Sequence, residues 1–271
     1  MKGFFKFILF LIIVTIAYWS FLHFGKASND GDWSTDQAIL PYAEINYDEI
    51  NIFNVRNFRY RSANDYDSTY YNGSYDLSKL ETVDFVTQPF VNNSDSTNSF
   101  LSFGFNDGRQ IAISIEARKK KDQKFSIFQG LFNQYNLTYV IADERDIINL
   151  RANYLQNAVY IYPIKTNSEN VKKLFTEMLT KANELKNKPE FYNTLTNNSI
   201  GKTLNHLSSI SPSKIGLDIN MLLPGKIDEM VLGLGLINTD LQLYEARKKF
   251  SINDRAKKYQ DSPAFSIKIR E

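Results

Sequence analysis

Residues 100–117 read FLSFGFNDGRQIAISIEA, two alternating segments on either side of Asn106-Asp107-Gly108. An Asp-Gly pair between such segments predicts a tight hairpin, because the turn needs a positive φ that glycine adopts without steric cost. In the second segment Ile111, Ile113 and Ile115 share one face, while Ala112, Ser114 and Glu116 share the other. Ile50 to Tyr60 (INIFNVRNFRY), Leu137 to Ala142 (LTYVIA) and Ala158 to Ile164 (AVYIYPI) are rich in β-branched and aromatic residues and read as further strands. The Asn/Asp/Ser/Tyr-rich stretch 62–76 reads as a long surface loop.

Helical periodicity takes over further along the chain. Val171, Leu174, Phe175, Met178, Leu179, Ala182 and Leu185 recur at helical spacing from Ser168, a residue able to cap the start, to about Lys186, and Pro189 ends the run. A second helix starts near Asn197 or Asn198 and carries Ile200, Thr203, Leu204 and Leu207 on one face; a weaker third lies around Thr239 to Phe250. Strands first and helices later predict an α+β domain with a mainly antiparallel sheet packed on helices.

Outward from this body, Phe7 to Phe24 (FILFLIIVTIAYWSFLHF) is an unbroken apolar and aromatic run, preceded by a stub, residues 1–6, with two lysines and no acid. The run is about long enough to cross the ~30 Å hydrocarbon core as a helix, and its flanking charge predicts a cytoplasmic N-terminus. Tyr18, Trp19 and Phe21 suit an interface better than a small-residue cleavage site, so an uncleaved anchor is expected ahead of a removed signal. Residues 25–32 (GKASNDGD) form a polar linker, and residues 33–271 form the domain proper.

Composition removes several classes of chemistry. The net charge is +2, far from the basic excess of nucleic-acid binding, and the basic run Arg118 to Lys121 reads as a solvated turn. With no cysteine, disulfides, zinc-thiolate sites and thiol nucleophiles are excluded. The histidines are His23, in the apolar run, and His206; the latter follows Ser199 by seven residues, ~10 Å along a helix axis, and reads as structural. No nucleotide-binding or metal-protease motif is present, so no cofactor and no metal are expected. Glu116 inside its strand, and Asp143, Glu144, Arg145, Asp146 and Arg151 just after another, are the acids and bases of interest; the plainer reading of the latter group is a salt-bridged corner.

Taken in order, Asn54-Val-Arg-Asn-Phe-Arg-Tyr60, Tyr75-Asp-Leu77, Leu80, Phe100 to Phe105, Asp107-Gly-Arg109, Ile113 to Arg118, Ala142 to Asp146, Leu150-Arg151 and Tyr160-Ile-Tyr-Pro163 resemble one bacterial family. Pro189 to Asn198, Leu223-Pro-Gly225, Gly235-Leu236, Phe265-Ser266 and Ile269-Arg270 extend the likeness to the end of the chain. The family is that of the Lnb N-terminal periplasmic domain. The resemblance implies a circularly permuted papain-like fold, in which a histidine opens a strand and a nucleophilic cysteine later starts a helix. It also implies acyl transfer on the N-termini of bacterial lipoproteins, and a periplasmic domain held to the inner membrane by a single span.

The positions matching that histidine and cysteine are Asn98 and Ser199. A cysteine at a helix N-terminus beside imidazole is activated because both favour thiolate; a serine hydroxyl needs a base, and an asparagine is none. Loss of a nucleophile can cost on the order of 10⁶ in rate, after which little holds its partner. The expected catalytic positions are therefore Ser199, Asn98 and, as an orienting acid, Glu116, with Asn197 and Asn198 as substrate contacts. The leading expectation is an impaired or inactive relative that binds an acyl chain, a lipoprotein N-terminus or a partner envelope protein. The alternatives are an active enzyme using Ser199 with Glu116 or an acid of 143–146 as base, and a purely structural envelope protein.

Overall fold

The computed structural model describes residues 2–88, 98–211 and 227–271. The strands are β1 Tyr42–Asn46, β2 Glu49–Arg56, β3 Arg59–Ser62, β4 Asp65–Asp67, β5 Tyr70–Asp76, β6 Leu80–Gln88, β7 Asn98–Phe105, β8 Gln110–Arg118, β9 Tyr135–Asp143, β10 Tyr160–Pro163 and β11 Phe191–Tyr192. The helices are α1 Lys2–Phe24, α2 Ile127–Leu131, α3 Glu144–Asn149, α4 Ser168–Asn187, α5 Ser199–Ile210, α6 Ile227–Gly233, α7 Leu243–Phe250, α8 Asn253–Lys258 and α9 Phe265–Lys268, with a π-turn at Leu150–Tyr154 after α3.

The predicted hairpin is β7–β8, closed with Gly108 at φ 86° and the Asp107 carboxylate accepting from Arg109 N–H. It lies at the centre of a mixed sheet ordered β1-β2-β9-β8-β7-β6-β10, with β5 on β2 and β11 on β9. Every described pairing is antiparallel except a single parallel bridge, Arg56 to Ala142. Both faces are covered, which is why β8 and β9 are buried almost throughout. On one face Ile111, Ile113, Ile115 and Tyr139 meet α4 and α5; on the other Phe100, Ala112 and Val140 meet α3, α8 and α9. The α4 stripe named above is buried as its spacing requires.

Local expectations needed four corrections. The cap of α4 is Asn167, whose side chain accepts from Asn170 N–H, not Ser168. The segment 50–60 is two strands: β2 bulges at Asn54, φ 61°, opposite β5, and it ends before Phe58, which turns its N–H onto Asp146 at 2.7 Å. The stretch 62–76 is not a loop: β3 and β4 pair, and β5 adds to β2 from Glu49–Asp76 to Arg56–Tyr70. Its aromatics decide this, with Phe58 against Tyr66 at 5.1 Å and Tyr70 at 5.3 Å. Arg118 is not solvated; it ends β8 buried, donates to the Gln37 and Ala38 carbonyls and stacks 4.2 Å over Trp33.

Helix α1 contains Gly3–Ser20, a window long and apolar enough to cross a membrane, with no residue of the window fully buried. The following segment is tied down: Asn29 donates to the Leu185 and Lys186 carbonyls that end α4, and Asn136 donates to Ser28 O.

Candidate functional site

Helix α5 starts at Ser199 because Asn198 caps it, accepting from Gly201 N–H at 2.8 Å while its amide donates to Thr194 O at 2.9 Å. Asn197 donates to Phe191 O at 2.7 Å. Asn193, a residue the sequence did not single out, binds the turn from within: its side-chain oxygen accepts from Leu195 and Thr196 N–H, and its amide donates to Leu131 O. The paired asparagines expected as substrate contacts thus use these amides to shape the 193–198 turn that presents Ser199.

Ser199 is half-buried and stands beside the buried Tyr192 of β11, close enough for its hydroxyl to act on the phenol. Burial pushes the Tyr192 phenol up to about 12, against the nearby Ser199 hydroxyl, which lowers it. A neutral phenol at ordinary pH cannot take the proton that a serine must lose to attack. Tyr192 belongs to an aromatic group with Tyr135 and Phe125, which closes that end of the sheet. The sequence signal was available in Phe191-Tyr192 within the Pro189–Asn198 motif, but not the pairing of β11 to the start of β9.

The other expected positions are on the sheet. Asn98 begins β7 opposite Gln88, and its side chain lies outside the described residues, as do Leu223-Pro-Gly225, most of the polar segment 92–99 and the His23 side chain. Glu116 is on the face packed by α3 and its π-turn, opposite the face that carries α5. There it accepts from Gln37 and Ser114 at 2.8 Å each and pairs with Arg151 at 3.4 Å. Burial raises its carboxyl, but Arg151 and Arg56 overcome this and hold it below the ordinary carboxylate range.

The acids of 143–146 are equally engaged. Asp146 takes a two-point contact from Arg56 at 2.9 and 3.1 Å, and accepts from Phe58 N–H and Tyr60. Glu144, fully buried, pairs with Arg270 and accepts from Ser102; Arg270 also holds Asp84 at 2.8 Å. Asp143 caps α3. The salt-bridged corner is therefore a set of buried ion pairs that fasten distant segments.

His206 has partners on two other elements. Tyr139 on β9 meets Nε2 at 2.7 Å and Glu177 on α4 meets Nδ1 at 2.7 Å. With the buried phenol donating to Nε2, the imidazole proton sits on Nδ1 and goes to Glu177. Burial lowers the imidazole below its ordinary 6.5, against the raising effect of Glu177. A histidine kept neutral by the fold must gain a proton on unfolding. Its contribution is therefore complete above the ordinary value and is lost as pH falls from there through the lowered folded value. Chemical denaturation between about pH 7.5 and 5 is expected to show stability falling with pH, and the His206→Gln variant a shallower slope; equal slopes refute a neutral buried His206.

Between α1 and the domain lies a mainly apolar cavity of about 510 Å³, lined by Ala17, Ser20, Gly25, Phe132, Asn133, Gln134 and Phe191. Phe191 adjoins Tyr192, the phenol beside Ser199. Among the described residues no cluster of three or more His, Asp or Glu is arranged to hold a metal ion.

Residues 66–225 match the family model described as the Lnb N-terminal periplasmic domain. No curated protein and no solved structure matches the chain.

Proposed function

The chain belongs to the Lnb N-terminal periplasmic domain family, and from that premise we propose that it is a single-pass, membrane-anchored envelope protein that binds an acyl chain or a lipid-modified lipoprotein N-terminus without turning it over. The reading is carried by one observation: the phenol beside the start of α5, Tyr192, is buried on β11 and kept neutral there, so it offers Ser199 no base. No base for that serine follows from Glu116, which is across the sheet and already neutralised by Arg151. The family's periplasmic character and the unburied apolar helix together support a span with the domain on its outer side, in the inner membrane.

Binding is supported by the cavity beside α1, whose walls come from the span and its exit, the 132–134 turn ahead of β9, and β11. An apolar site at that level needs no crossing of water by the ligand's chain. The order of strands before a helix that opens on Ser199 and packs on β7 and β8 supports the permuted papain-like fold that the family resemblance implies. Titrating a fluorescent diacylated lipopeptide into the full chain in nanodiscs tests the binding claim. Saturable binding, weakened at least tenfold by Ala17→Trp, is expected; the same signal from empty nanodiscs, or no effect of that variant, refutes it.

A further inference from the structure

The outer end of α1 is joined to the domain by named contacts. The Tyr18 hydroxyl donates to Leu131 O at 2.9 Å, and its ring meets Phe132 edge-on at 5.7 Å. Phe132 packs against Phe128 of α2 at 5.0 Å. Beyond it the surface is apolar and open, with Phe128 67% exposed, Leu195 53% and Ile127 47%. The Thr194 hydroxyl donates to Ile127 O at 2.9 Å, which sets the turn carrying Leu195 beside α2. Gly130 permits this approach, since a Cβ there would collide with the Thr194 hydroxyl.

We propose that α2 and the 193–197 turn are a second membrane contact, with Ile127, Phe128 and Leu195 seated in the headgroup and upper acyl region of the leaflet from which α1 emerges. The occupant is lipid because the patch is continuous with the span through Tyr18, Phe132 and Phe128. Tyr18 also lies near the outer end of the apolar window, the level at which aromatic rings mark the interface. Elements of this kind enter that boundary by ~5–10 Å. Exposed Lys26 and Lys124, on the stretches leading to the cavity and to α2, suit anionic headgroups. The seat turns the N-terminus of α5 toward the bilayer, since the turn bearing Leu195 leads directly into Ser199. This inference rests on the reading of α1 as a span, and not on any ligand of the cavity.

The cysteine-free chain allows single labels. An environment-sensitive fluorophore is attached to the full chain at Phe128→Cys, Leu195→Cys, Phe10→Cys within the span, or Tyr47→Cys, which is 98% exposed on the β1–β2 turn. Each variant is placed in liposomes whose lipids carry a nitroxide high on the acyl chain. Labels at 128, 195 and 10 are expected to lose at least half of their emission to the nitroxide, and the label at 47 to keep it. Quenching at 10 without quenching at 128 and 195 overturns the seat while leaving the span intact. Protection of 128 from aqueous iodide without lipid quenching assigns the patch to a protein partner and also overturns it. No quenching at 10 removes the span itself and the seat with it.

Discussion

Replacing Arg270 by methionine is expected to destabilise the fold by about 3–5 kcal/mol, because it leaves two buried carboxylates without their cation. Glu144 is fully buried and Asp84 is 7% exposed, and Arg270 binds both. The two acids respond differently to the one guanidinium. Burial raises Glu144, but Arg270 more than offsets it and holds the carboxyl low, whereas burial prevails at Asp84 and holds it above its ordinary value. The pH dependence follows from the signs. Glu144, low in the fold, contributes stability that is present above its ordinary 4.5 and lost as pH falls through the folded value. Without Arg270 both carboxyls are raised by burial, so the variant is penalised most above their raised values and relieved as they protonate. The gap between the two proteins therefore narrows toward acid. Thermal unfolding at neutral pH should show a fall of roughly 6–20 °C; a fall of a degree or less, or a gap that widens in acid, refutes the assignment.

Asp146→Ala is expected to cost a similar ~3–5 kcal/mol by stranding Arg56 and removing the acceptor of Phe58 N–H and Tyr60. Arg56 is 3% exposed and Asp146 1%, and the pair stands beside the only described parallel bridge in the sheet. Removing both charges together, as Arg56→Met with Asp146→Ala, should cost less than those two single changes summed, because no unpaired charge is left. Urea unfolding of the three variants measures this. Simple additivity contradicts a direct ion pair; a coupling of more than about 1 kcal/mol supports it.

These pairs join the motifs singled out in the sequence, both inside and outside the matched residues 66–225. Arg56, Tyr60, Ser102, Glu116, Glu144, Asp146, Arg151 and Arg270 all fall within them, and each is bonded to a residue from another segment. They define the scaffold rather than the chemistry. Such pairing is not readable from a local stretch, which is why Glu116 reads as a potential site residue until its face is known.

Features set by neighbours in sequence were legible. The β7–β8 hairpin follows from Asp107-Gly108, the buried stripe of α4 from its period, and the start of α5 from the Asn198 cap. Features set by distant partners were not. The strands within 62–76 depend on β2 and an aromatic group, and the burial of Arg118 depends on Gln37, Ala38 and Trp33. At the site, Ser199 and its paired asparagines could be located, but not Tyr192 as the hydroxyl's neighbour. His206 was read as structural, and its links to Tyr139 and Glu177 supply the reason.

The central claim is that the site retains a place for lipid but not the acyl-transfer chemistry, and mass spectrometry of a diacylated peptide incubated with the full chain in nanodiscs tests it most directly. The wild-type protein is expected to leave the peptide's mass unchanged, while Asn98→His combined with Ser199→Cys is expected to gain acyl transfer through an activated thiol. Transfer by the wild-type protein that disappears in Ser199→Ala would contradict the claim.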